Sequence, residues 1–85
     1  MTEKEIVSLG FTKEYIDSYE GDDEYYYVLD IVKGLTFITQ TNKETTGNKW
    51  CVDFFDTYPN VRFTNFFELQ GLINTLTKHI VKNDK

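Results

Sequence analysis

Apolar residues along the chain follow a helical period first, a period of two through the middle, and a helical period again at the end. Thr2-Glu3-Lys4-Glu5 has the spacing of a capping box, in which the Thr2 hydroxyl and the Glu5 carboxylate each serve the other's backbone amide. A short helix to Leu9 follows. Gly10 supplies its left-handed stop, and Ile6, Val7, Leu9 and Phe11 provide the apolar anchor that two turns need to persist.

Between Thr12 and Tyr19 the pattern fits two readings. Phe11, Tyr15 and Tyr19 make a helical stripe, and Tyr15, Asp17 and Tyr19 make one side of a half-polar strand; the strand is the reading adopted. Glu20-Gly21-Asp22-Asp23 marks a turn. The run EYYYVLDIV, Glu24 to Val32, sets Tyr25, Tyr27, Leu29 and Ile31 against Tyr26, Val28 and Asp30, and its aromatic and β-branched content predicts a strand. Lys33-Gly34 permits a tight reversal into a strand from Leu35 to Gln40.

The polar segment Thr41 to Asn48 reads as a loop. KWCVDFFD, Lys49 to Asp56, then reads as a strand with Trp50, Val52 and Phe54 on one face and Cys51, Asp53 and Phe55 on the other. Pro59 forces a turn over Thr57 to Asn60, before a short strand from Val61 to Thr64. Asn65 stands three residues ahead of Glu68 as a helix cap, and Phe66, Leu69, Ile73, Leu76 and Ile80 trace an amphipathic helix reaching about Lys82. Gly71 within it predicts a close approach to the sheet.

These elements sum to a single α+β domain over residues 1–85. A short N-terminal helix leads into an antiparallel meander of about five strands, and a C-terminal amphipathic helix packs on one face. One helical stripe covers one face of a sheet. The alternates Tyr26, Val28, Ile38, Cys51 and Phe55 fall on the other, an apolar set too large to leave bare, so either the sheet curls toward a partial barrel or this face meets a partner.

Composition sharpens that picture. With 85 residues, 16% aromatic and a single cysteine, the chain has no disulfide framework, and large rings are its efficient route to burial, at about 150–250 Å² each. The lone Cys51 and the charged start after Met1 imply a cytoplasmic protein, and no apolar run approaches a membrane span. A net charge of −5 disfavours nucleic acid as a partner. The chain has no alanine, one proline and one arginine, and is rich in Lys, Asn, Ile, Tyr and Phe, a bias expected of AT-rich coding. That points to a low-GC bacterium, its phages or its mobile elements.

Candidate chemistry adds little. KGLTFITQ, Lys33 to Gln40, is similar to the RNP1 signature of RNA-recognition domains at Lys33, Gly34, Phe37 and Ile38. Leu35 and Gln40 stand where stacking rings are needed, so the similarity carries no mechanism. Asp17, Glu20, Asp22, Asp23 and Glu24 form an acidic turn without calcium-loop spacing, and serve better as an electrostatic handle for a basic partner. His79, Cys51, Asp53 and Asp56 lack the neighbours a catalytic assignment requires.

The expectation is therefore a non-enzymatic interaction domain without cofactor or metal, binding a protein partner or a second copy of itself. An accessory protein of a phage or mobile element, inhibiting a host nucleic-acid-handling protein through its acidic surface, is the alternative. A small hydrolase is the third.

Overall fold

The computed structural model of the chain describes residues 1–16 and 23–81. Its elements in order are α1 (Glu3–Ser8), β1 (Thr12–Ile16), β2 (Glu24–Val32), β3 (Leu35–Thr39), β4 (Val52–Phe54), β5 (Arg62–Phe63) and α2 (Phe66–Lys78). The five strands form one antiparallel sheet in the order β1-β2-β3-β4-β5. With β1 and β5 at its two ends, the sheet is open and does not close into a barrel.

The capping box forms as its spacing predicts. The Glu5 amide donates to Thr2 Oγ1 at 3.2 Å, and the Thr2 amide donates to Glu5 Oε1 at 2.8 Å. Gly10, at φ +97, turns the chain out of α1 where a side chain would be strained. The helix is held by Ile6, which is fully buried.

The core lies on one face of the sheet, between the strands and the two helices. Ile6 and Phe11 come from the N-terminal segment, Tyr27, Phe37, Trp50 and Val52 from the sheet side, and Leu69 and Ile73 from α2. Phe37 is at its centre, stacked on Phe54 at 4.8 Å and edge-on to Phe63 at 6.1 Å.

Four features differ from the sequence pattern. β4 begins at Val52 rather than Lys49, because the backbone before it bonds elsewhere: the Trp50 amide donates to the Met1 carbonyl at 2.6 Å, and the Cys51 amide donates to Gln40 Oε1 at 3.2 Å. β5 keeps only Arg62 and Phe63, although Val61 still accepts from the Phe54 amide. α2 ends at Lys78 with His79 as its C-cap, leaving Ile80 beyond the helix. Its buried stripe is Leu69 and Ile73, flanked by Leu72 and Leu76, while Phe66 packs on the exposed Phe67 instead.

Gly71 is the fourth difference. It faces outward, and a Cβ built on it meets nothing within 4 Å, so no close approach to the sheet requires a glycine there. The strand expected from Asp17 to Tyr19 and most of the turn after it lie outside the described residues.

Candidate functional site

The register assigns every strand residue to a face, because directly paired residues point the same way. Thr12, Val28, Ile38, Asp53 and Arg62 form one row across all five strands. Glu14 with Tyr26 and Ile16 with Glu24 extend that face toward one end, and Asp30 with Thr36 toward the other. This is the face opposite the core: the buried residues of both helices belong to the core on the other side, and the β4–β5 loop reaches this face through Asn60, which bonds Asp53.

The five residues predicted for this face are all on it, in unequal roles. Tyr26, Val28, Ile38 and Cys51 are half-buried. Phe55 is 58% exposed. Its amide donates to the Thr36 carbonyl at 2.8 Å, which extends the β3–β4 pairing by a residue and sets the ring at the end of the open face. Gly34, Thr36, Phe55 and Asp56 line a shallow hollow of about 300 Å³ there.

Cys51 is engaged locally. Gln40 Oε1 accepts from both its amide, at 3.2 Å, and its thiol, at 3.6 Å, so one glutamine side chain stands in for a missing stretch of ladder. No sequence period announces such a bond.

Charge divides the faces. The open face carries Glu14, Glu24, Asp30 and Asp53 within its strands and Arg62 as its cation. Arg62 donates to both Asp53 oxygens, from Nε at 2.8 Å and from Nη2 at 3.0 Å, and the Asn60 amide adds a third bond at 3.2 Å. The hydrogen bonds from Arg62 hold the Asp53 carboxyl below its ordinary value, and the same pairing raises the guanidinium.

A second cluster lies on the covered face beside α1, and the sequence did not point to it. Glu3 Oε2 accepts from Tyr25 Oη at 2.8 Å and from Tyr27 Oη at 2.6 Å. Trp50 stacks on Tyr25 at 6.2 Å and meets Tyr27 edge-on at 5.5 Å. Lys13 Nζ sits 4.2 Å from the Tyr25 ring centroid, a cation–π contact across β1 and β2. The bond to Glu3 leads in raising the Tyr25 phenol, and burial leads in raising that of Tyr27. The period-two pattern could place the rings on one face, but not the carboxylate that ties α1 to them.

The remaining candidates do not assemble. Asp53 is committed to Arg62 and Asn60, which leaves no free carboxylate to act with Asp56 as an acid and base. Cys51 lies on the open face, whereas His79 caps α2 on the covered face, so the two do not meet. His79 lines an apolar groove of about 390 Å³ with Ile31, Val32, Leu35 and Leu76.

Of the acidic turn, Asp17, Glu20 and Asp22 lie outside the described residues, Asp23 is exposed, and Glu24 opens β2. No cluster of three or more His, Cys, Asp or Glu fit to hold a metal occurs among the described residues, and no described helix is long and apolar enough to cross a membrane. Comparison with protein families, curated proteins and solved structures finds no match to the chain.

Proposed function

We propose that the protein is a non-enzymatic interaction domain that binds a protein partner through the open face of its sheet. One observation carries this reading: the β-branched residues Thr12, Val28 and Ile38 run side by side across a sheet face on which neither helix packs, with Tyr26 beside them and the exposed ring of Phe55 at its end. Antiparallel sheets commonly leave one polar face to water, and Glu14, Glu24, Asp30, Asp53 and Arg62 give this face that character around its apolar residues. Here Tyr26, Val28, Ile38 and Phe55 occupy it, and aromatic anchors of this kind dominate binding energies.

Photocrosslinking tests the reading. A photoreactive phenylalanine at Phe55 should give a discrete adduct in cells of the source organism, while the same group at the exposed Lys4, on α1, should not. Adducts at Lys4 alone, or a monodisperse monomer by light scattering with no adduct at Phe55, would count against it.

A further inference from the structure

We infer that the segment received by the open face is a basic stretch of polypeptide carrying lysine or arginine between apolar residues, and that the hollow beside Phe55 takes one of its lysine or arginine side chains. This inference rests on the open face being the binding surface, and goes further by fixing the chemistry of what binds.

Charge is the first argument. Within the strands the open face holds four carboxylates, Glu14, Glu24, Asp30 and Asp53, against the one guanidinium of Arg62, a net of three negative charges. Arg62 is consumed by Asp53, so Glu14, Glu24 and Asp30 are the charges left to meet a partner. Two copies joined through this face would bring those charges against each other, an arrangement that works against association. A partner bearing lysine or arginine between apolar residues matches both the carboxylates and the Val28 and Ile38 row between them.

The hollow is the second argument. It places an exposed aromatic ring beside acidic groups: Asp56 lines it with Phe55, and Asp30 Oδ1 accepts from the Thr36 hydroxyl of its wall at 2.6 Å. A ring and carboxylates together suit an extended cationic side chain, whose stem lies on the ring while its head meets the acids. A purely apolar side chain would leave those acids unanswered.

Titration with a capped peptide of alternating lysine and valine, followed by amide chemical shifts, tests this. Saturable shifts should appear at Gly34, Thr36, Ile38 and Phe55, and a counterpart peptide with glutamate in place of lysine should produce none. Raising salt from about 0.01 M to about 1 M shortens the screening length from about 30 Å to about 3 Å, and should weaken binding by about tenfold or more. The double variant Glu14→Gln, Asp30→Asn should weaken it severalfold at low salt while keeping the wild-type far-UV spectrum. Equal binding of the glutamate peptide, insensitivity to salt, or no shift with either peptide would overturn the inference. Open-face shifts that grow with protein concentration alone would overturn it too, while leaving the face itself standing as a self-association surface.

Discussion

Replacing Gly71 by alanine should stabilise the protein, and the sign of the effect separates two accounts of α2. Gly71 is the sixth of the thirteen residues in this helix, well inside its ends, where glycine costs about 0.8–1.0 kcal/mol relative to alanine. An alanine methyl there meets nothing within 4 Å, so neither a clash nor new packing corrects that figure. The expected gain is therefore about 0.8 kcal/mol. With an unfolding entropy near 2.1 cal/mol/K per residue, a chain of this length gains about 4–5 °C in Tm. The assay is thermal and urea unfolding followed at 222 nm, with the urea midpoint rising and the slope unchanged. Had the glycine been needed for contact with the sheet, the added methyl would overpack that contact and lower Tm instead. A fall of a few degrees would refute both the outward orientation of Gly71 and the position of the stripe through Leu69 and Ile73.

Three further outcomes follow from the geometry. The phenols of Tyr25 and Tyr27 are raised in the folded state, so their contribution to stability is fully present below about pH 10 and is lost as pH rises through their folded values; in an alkaline ramp their ionisation at 295 nm should coincide with loss of far-UV signal, and early ionisation of these two with the fold intact, assigned through Tyr25→Phe and Tyr27→Phe, would contradict it. Asp53 is lowered, so its contribution is present above about pH 3.9 and lost as pH falls through the lower folded value; Asp53→Asn should cost about 0.5–1 kcal/mol at pH 7, a small figure because Arg62 is half exposed, and nothing near pH 2, by urea unfolding at both. Phe37→Ala removes a fully buried ring and should cost about 3–5 kcal/mol, a large share of the roughly 4–13 kcal/mol expected of a domain this size, visible as a collapse of the cooperative transition in calorimetry, where Phe37→Leu should retain one.

Period and cap residues carried much of the architecture into the sequence. Thr2 with Glu5 gave the start of α1, the alternation of Tyr25, Tyr27 and Leu29 gave the covered side of β2, and Asn65 gave the start of α2, where its side chain accepts from the Glu68 amide at 3.0 Å. What the pattern could not express was hydrogen bonding by side chains in place of backbone. Thr39 Oγ1 accepts from the Tyr27 amide at 2.9 Å and Asn42 Oδ1 from the Tyr25 amide at 2.8 Å, so β2 continues its bonding past its last backbone pair with β3, Val28 with Ile38. Gln40 does the same for Cys51. Such bonds depend on where a loop residue lands in three dimensions, and a polar stretch such as Thr41 to Asn48 reads simply as loop until it does.

The end of α2 has a comparable cause. Leu76 still packs at the margin of the core, beside Ile31 and Leu35 at the β2–β3 end of the sheet, while Ile80 is out of the helix and 38% exposed. Thirteen residues at 1.5 Å each make a helix of about 20 Å, enough to cross from β5 to β2 at about 4.8 Å per strand. Beside the end of β2 that it reaches, β1 stops at Thr12 opposite Val28, so no strand lies past Ile31 to bury a further turn, and an apolar stripe stabilises a helix only while a surface lies beneath it.

The same limit explains β1. Neither helix packs closely against it, every residue of it is exposed, and its covered-face side chains Lys13 and Tyr15 lean on the Tyr25 ring rather than on a core. The sheet is therefore best buried through β3 and β4 and weakest along β1. On the open face the hollow lies at the better buried strands, lined by Thr36 of β3 and by Phe55 just past β4, whereas Glu14 sits on the fully exposed β1. A partner seated at the hollow would meet a preformed surface there, and would lose freedom mainly in whatever part of β1 it orders. The hollow should accordingly fix its orientation, and the carboxylates toward β1 should chiefly speed its approach.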